Sequence, residues 1–209
     1  MRAFQDGGKE KIGMSSSSGS AIDKYWKEQF EFLLAAPVVW ALDADSLMRS
    51  FDVVAQVAES DLADKIRGMT ANPSPPVTYV PEVGRNALML GALAVEVLLK
   101  GIALTNQSVA TSVKAKDGRI TKRLLSHNLR DIAELAGVQL TAPEVGLCER
   151  LETFLVWAGR YSIPKNHTDM MPRPLALGGT APPNIYSSAD FQAVRNLTNR
   201  LRLLLPAIS

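Results

Sequence analysis

The sequence has little of what a disulfide framework, a metal centre or a nucleotide-binding loop requires. Its 209 residues include one cysteine, Cys148, and two histidines, His127 and His167. A single cysteine forms no disulfide within the chain, which fits a reducing cytoplasm. Clusters of His and Cys, Gly-x-Gly-x-x-Gly and Gly-Lys-Ser/Thr are absent, so zinc, dinucleotide and P-loop chemistry have no support. We therefore predict no metal and no cofactor.

A strong net charge and an uninterrupted membrane span are also missing. Lys and Arg number 23 against 21 Asp and Glu, and a net charge of +2 indicates no particular partner. Residues 1–20 hold no apolar run and predict a disordered leader instead of a secretory signal. The most apolar stretch, NALMLGALAVEVLLKGIAL, contains Glu96 and Lys100, and two charges make membrane insertion unfavourable. We expect a cytoplasmic protein, no membrane partner, and a buried core helix at this stretch.

What the sequence does have is helical periodicity along most of its length. The pattern predicts helices at 21–37, 43–68, 82–105, 129–137, 142–161 and 188–205. A proline-rich loop is predicted at 69–81, a hairpin-like turn around Asp117 and Gly118, and a long irregular segment at 162–187 that packs on the helices near Arg160. Residues 21–209 are therefore predicted to form a single all-α domain. Its fold would be an antiparallel helical bundle of about five to six helices, with the long, proline-rich irregular segment at 162–187 before the last helix.

Polar residues share one stripe on the most apolar helix. Arg85, Met89, Ala92, Glu96 and Lys100 recur every three or four residues, so they lie on one face. A carboxylate on such a stripe is costly unless it is paired. Two interpretations remain open: Glu96 pairs with Lys100 one turn on, or it orients a histidine or arginine from another helix.

A basic stretch precedes His127. It contains Lys114, Lys116, Arg119, Lys122 and Arg123, with Asp117 as the only acid. The stretch is interpreted either as a solvated turn or as a phosphate-facing patch that attracts nucleic acid. His127 itself is either a packed residue at a helix start, with Ser126 or Asn128 as the cap, or a functional group.

The stretch WAGRYSIPKNH places Arg160 seven residues before His167. In a continuous helix the two side chains would lie two turns apart on one face. Pro164 prevents this, because its ring collides with the carbonyl of residue 160 and it has no N–H to donate. The helix is predicted to end near Tyr161. His167 then lies in a loop, either apart from Arg160 or brought back to it by the tertiary fold.

Three stretches together resemble the HEPN family of prokaryotic all-α domains. They are AVEVLLKGIAL, SHNLRDIAELAG and WAGRYSIP, and the resemblance covers roughly residues 40–165. The matching positions are Glu96, Leu99 and Lys100 in the first stretch, His127 and Leu129 in the second, and Arg160 and Tyr161 in the third. Ser162 stands where many members have a proline.

The resemblance implies an RNA-associated or nucleotide-associated function. Many HEPN proteins are metal-independent endoribonucleases of toxin–antitoxin or phage-defence systems, with an Arg-x(4–6)-His motif at a dimer interface; others serve as nucleotide-binding or interaction modules. On this basis the predicted catalytic residues are Arg160, His167 and His127. The predicted substrate-binding residues are Glu96, Lys100, Tyr161, Lys122 and Arg123.

The implied partners are a second copy of the chain, an RNA or nucleotide, and an antitoxin or defence protein. The small residues Gly91, Ala92 and Ala94 allow close helix approach, either in a homodimer or inside one chain. Two alternatives to the RNA-acting protein remain open. One is a non-catalytic helical interaction module, and the other is a helical bundle that binds a small molecule.

Overall fold

The computed structural model describes residues 17–71, 82–115, 118–174 and 180–206. Eight α-helices lie in these ranges: α1 (Ser17–Ala35), α2 (Pro37–Ala71), α3 (Gly84–Thr105), α4 (Gln107–Lys114), α5 (Gly118–Leu124), α6 (Leu129–Leu135), α7 (Ala142–Thr153) and α8 (Ser188–Arg202). The only strands there are β1 (Arg173–Pro174) and β2 (Thr180–Ala181), which pair antiparallel. The predicted all-α class is confirmed for this part of the chain. Residues 1–16 of the predicted leader lie outside it.

Contacts divide the chain into two compact units, one ending at Leu34 and the other beginning at Ala35. The division falls between Leu34 and Ala35, the last two residues of α1. Pro37 separates α1 from α2 and opens α2 as its first residue, a position where its fixed φ suits a helix and its missing N–H costs nothing.

Helix α3 is the centre of the second unit. Fifteen of its 22 residues are buried, and α2 packs along it through Ala41, Ala44, Ala55, Ala58 and Phe51. The small residues predicted for close approach serve this internal packing, because Gly91, Ala92 and Ala94 are all buried within the chain. By length and composition α3 is long and apolar enough to cross a membrane, but 78% of its most apolar window is buried inside the protein. A core helix has the same properties.

Helices α7 and α8 complete the core around α3. Leu98 of α3, Leu151 of α7 and Phe154 just after α7 are each about 1% exposed and belong to one core cluster. Charged pairs hold α8 at its edges: Arg195 reaches Asp52 and Glu59 of α2, both at 2.9 Å. Arg150 of α7 reaches Asp190 of α8 at 2.6 Å, and Arg200 of α8 reaches Glu144 of α7 at 2.8 Å. Ion pairs between neighbouring helices thus attach α8 to α2 and α7.

The predicted hairpin-like turn after α3 is wrong, because helices α4 and α5 occupy this region. Asn106 starts α4 by accepting a hydrogen bond from the Ser108 amide at 3.0 Å, and the buried Val109 and Leu124 attach the two helices to the protein. Asp117, on which the turn prediction rested, lies outside the described residues. Helix α2 also continues to Ala71, past Gly68, where a stop was predicted. By contrast, Gly137 adopts a φ of +69° directly after α6, as predicted for a helix stop.

The long segment before α8 is irregular, as predicted, except for β1, β2 and a short 3₁₀ helix at His167–Met170. Tyr186 anchors its end, with its ring 6.2 Å from that of Phe154 and 5.8 Å from that of Phe191. The prediction that the whole segment packs on the helices is only partly right, because Met170 and Met171 are exposed. Residues 175–179, which carry two of its leucines, lie outside the described ranges.

Candidate functional site

A buried ion pair lies on the stripe of α3. The Lys100 ammonium nitrogen is 2.5 Å from Glu96 Oε1, one turn away on the same helix. Only 7% of the Glu96 side chain and 10% of the Lys100 side chain are exposed. Two charges taken out of water stay ionised only when each compensates the other. The predicted pairing of Glu96 with Lys100 is therefore present in the fold.

The second oxygen of the same carboxylate holds a histidine from another part of the chain. His127 Nδ1 lies 2.8 Å from Glu96 Oε2 although the residues are 31 positions apart. Both interpretations of Glu96 thus hold at once: it pairs with Lys100 and it orients a histidine. We call Lys100, Glu96 and His127 the α3 polar cluster.

The contact with Glu96 favours one tautomer of the neutral His127 imidazole. An ionised carboxylate only accepts hydrogen bonds, so Nδ1 carries the proton that points at Glu96. Nε2 is then the nitrogen with the lone pair in the neutral ring. The His127 side chain is 46% exposed, whereas its carboxylate partner is buried. The arrangement presents an oriented, half-exposed imidazole in the turn between α5 and α6, held against α3 through Glu96.

The backbone on both sides of His127 is fixed by separate contacts. Before it, the Ser126 hydroxyl donates to the Arg123 carbonyl at 2.8 Å. After it, Asn128 caps α6 by accepting from the Asp131 amide at 3.0 Å, as predicted for one of the two cap candidates. The amide of the buried Leu129 donates to Glu152 Oε1 on α7 at 2.8 Å. These contacts position the imidazole over α3.

Glu152 makes a contact that the sequence patterns did not predict. Burial raises the pKa of its carboxyl, and this effect outweighs the hydrogen bonds from the Leu129 and Arg130 amides, which lower it. The residue ties α7 to the start of α6, directly beside the histidine. No local signal in the sequence indicates a carboxylate that caps a helix 23 positions earlier in the chain.

In the basic stretch before His127, one cation makes contacts within the protein and another is exposed to solvent. Arg123 lies 3.2 Å from Glu134 and donates to the Asp131 carbonyl at 3.1 Å, so it fastens α5 to α6. Lys122 is exposed. Of the two predicted substrate-binding cations here, Arg123 has a structural contact and Lys122 faces solvent.

Two arrangements were left open for Arg160 and His167, and the described part of the chain shows no contact that joins the two side chains. Helix α7 passes into a single π-helical turn (Phe154–Ala158), and the Arg160 guanidinium donates back to the Leu155 carbonyl. Tyr161 and His167 are exposed, and Pro164 separates them. Within the described residues, no hydrogen bond or ion pair joins Arg160 to either histidine. The prediction that the helix ends near Tyr161 is confirmed.

The Arg160 end of α7 nevertheless lies over the same stripe of α3 as the α3 polar cluster. Gly159 sits so close to Met89 that a Cβ added to it would lie 2.5 Å from the Met89 Cβ. Met89 precedes Glu96 by seven residues, which is about 10 Å along a helix axis. The segments that carry Arg160 and His127 therefore contact α3 at two points that are about two turns apart. Their positions follow from packing that sequence spacing does not reveal.

The described residues contain no group of three His, Cys, Asp or Glu arranged to hold a metal ion. Cys148 is buried, and burial raises the pKa of its thiol to about 12, so it is an inert core residue. A comparison of the chain with protein-family models, curated proteins and solved structures found no match. The assignment of the candidate site therefore rests on the geometry of the described residues.

Proposed function

We propose that this chain is a HEPN-like cytoplasmic protein that acts on RNA, with His127 as the general base of a metal-independent endoribonuclease. The single observation that supports this best is the 2.8 Å contact between Glu96 and a half-exposed His127. A carboxylate that orients an imidazole through Nδ1 leaves Nε2 ready to take a proton. The resemblance of three helical stretches to HEPN proteins supplies the substrate class.

The proposed chemistry uses the residues of the chain alone. Nε2 of His127 removes the proton from a ribose 2′-hydroxyl, and that oxygen attacks the adjacent phosphorus. The bond from phosphorus to the 5′-oxygen breaks, the 5′-oxygen takes up a proton from water, and the imidazolium returns its proton to solvent. The products carry a 2′,3′-cyclic phosphate and a 5′-hydroxyl. Lys100 pairs with one oxygen of Glu96, and the other oxygen stabilises the imidazolium formed during the step.

Exposed groups around the α3 polar cluster provide the proposed contacts to RNA. Lys122 and Arg160 are the cations we propose for the phosphates, because both are exposed and cations near RNA supply most of the binding energy. Arg160 must then exchange its contact with the Leu155 carbonyl for a phosphate oxygen. Tyr161 is exposed beside it and offers an aromatic face for a base.

A second candidate is a non-catalytic helical interaction module. It is favoured by two observations: Glu96 and Lys100 are buried, and the Arg160 guanidinium is bound to its own backbone. In this alternative the α3 polar cluster only locks the start of α6 onto α3. The partner proteins implied by the resemblance, an antitoxin or a defence protein, are part of both proposals.

The test is an RNA-cleavage assay with mixed RNAs in the presence of a chelator. The wild-type protein is expected to release 2′,3′-cyclic phosphate ends. His127→Ala and Glu96→Gln should each lower the rate by at least about 100-fold, which is the usual contribution of a general base. His167→Ala is the matched control, because His167 is exposed and lies outside the α3 polar cluster, and it should cleave like the wild type. If the wild type releases no such ends, or if His167→Ala alone abolishes them, His127 is not the base.

Arg160→Ala separates binding from chemistry. It should weaken RNA binding, measured by fluorescence anisotropy, while the far-UV circular dichroism stays unchanged. Binding that is equal to the wild type would exclude Arg160 from the phosphate contacts. Stable wild-type protein with neither cleavage nor RNA binding would leave the interaction module as the better explanation.

A further inference from the structure

Helix α1 presents a broad apolar face to solvent. The face consists of Ile22, Trp26, Phe30 and Leu33 at intervals of four, four and three residues, flanked on one side by Tyr25 and Phe32. These six side chains are between 47% and 65% exposed. We call this set the α1 apolar face.

The size of this surface indicates that it binds something. An aromatic side chain presents about 200 Å², and the four aromatic residues of the face are 54% to 65% exposed. They therefore offer about 480 Å² of apolar area, before the two aliphatic residues are added. The largest apolar patch on a typical monomer measures about 300 to 600 Å² and is often functional. Most of the stability of a helix in a protein comes from packing its apolar face, so a partner that covers this face would stabilise α1.

We propose that the α1 apolar face is covered by α1 of a second copy of the chain, packed antiparallel. Two copies bring together about 960 Å² from aromatic residues alone, and the aliphatic residues raise this above the roughly 1,000 Å² that a specific interface needs. The order along the face is aliphatic, aromatic, aromatic, aliphatic, which reads the same in both directions. A two-fold axis requires such self-complementarity, because each patch meets its own copy. Ile22 of one helix then meets Leu33 of the other.

The charges of α1 favour the antiparallel direction. About the midpoint of the α1 apolar face, between residues 27 and 28, the N-terminal side carries Asp23, Lys24 and Lys27 (net +1), and the C-terminal side carries Glu28 and Glu31 (net −2). Antiparallel packing brings the basic half beside the acidic half, whereas parallel packing brings like charges together. The same charges disfavour a lipid surface, because membrane-binding helices carry an excess of Lys and Arg on the polar face. With Asp23, α1 has three acids against two lysines.

The assembly state of the full-length chain tests this inference independently of any RNA activity. Sedimentation at about 1 to 100 µM, the range of ordinary specific association, should show a dimer. Phe30→Glu places a charge in the middle of the α1 apolar face and should give a monomer. Glu31→Gln, on the opposite side of the same helix, removes one of the flanking charges but no apolar contact, so it is the control and should remain dimeric at these concentrations. A monomeric wild type, with or without binding to lipid vesicles, would refute the inference, and so would a dimer that survives Phe30→Glu.

The direction of packing is tested with single cysteines, since the native Cys148 is buried. An oxidised mixture of Ile22→Cys and Leu33→Cys chains should form the mixed disulfide. Ile22→Cys alone should not crosslink, because two copies of residue 22 would lie about 16 Å apart along an antiparallel pair, beyond disulfide reach. A disulfide between two Ile22→Cys chains would overturn the antiparallel arrangement.

Discussion

Removing one charge from the α3 polar cluster should destabilise the protein far more than removing both charges of the buried pair. Lys100→Met replaces the ammonium with an apolar group of similar length and leaves the Glu96 carboxylate, 7% exposed, with His127 as its partner. Breaking a buried pair by removing one partner typically costs about 3 to 5 kcal/mol. For a chain of this size, each kcal/mol lowers the melting temperature by about 2 to 4 °C, so the expected fall is roughly 6 to 20 °C. Glu96→Leu should cost about the same, because it leaves Lys100 buried without its carboxylate.

The double variant distinguishes a coupled pair from two independent contacts. Replacing a buried pair with apolar residues of similar volume is often neutral, so Lys100→Met with Glu96→Leu should cost about 1 kcal/mol or less. Urea unfolding of the wild type, both single variants and the double variant measures the coupling energy, which should exceed about 2 kcal/mol. Unchanged slopes would show that the unfolded states are comparable. Additive costs in the double variant, or single costs below about 1 kcal/mol, would mean that water reaches the pair and that the charges are not coupled.

Three further outcomes follow from the packing of the helices around α3. Leu98→Ala should cost about 2 to 5 kcal/mol in urea unfolding, because Leu98 is 1% exposed, and a cost below about 1 kcal/mol would place the core elsewhere. Burial raises the pKa of Glu144, but hydrogen bonds from Thr141 and Arg200 outweigh it and lower that pKa below its usual value. The ionised form therefore stabilises the fold at neutral pH and this contribution is lost as the pH falls through the lowered pKa, so Glu144→Gln should cost about 1 to 2 kcal/mol at pH 7 and little in acid. Equal costs at both pH values would contradict this. Because burial raises the pKa of Cys148 to about 12, a thiol reagent should label it only as fast as the protein unfolds, and rapid labelling of the folded protein would show an accessible thiol.

Sequence periodicity by itself determined the elements whose signals are local. The long apolar stretch predicts α3 within two residues at its start, since an apolar helix needs no distant partner to reveal its period. Pro37 and Pro164 mark helix ends because proline removes a backbone donor wherever it stands. The pairing of Glu96 with Lys100 was also predictable, because residues four apart on a helix are neighbours.

Only the tertiary structure decided which of the open alternatives applied to the candidate site. Glu96 and His127 are 31 residues apart, and Leu129 and Glu152 are 23 apart, so no local pattern encodes their contacts. The same holds for α5, which packs through Leu124 in a region whose turn-forming residues predict a hairpin. Arg160 shows the converse, because its spacing from His167 suggests a pair that the proline and the π-helical turn separate. The helical periodicity of a sequence depends on residues that are close together in the chain, whereas a polar contact between helices depends on how all the helices pack.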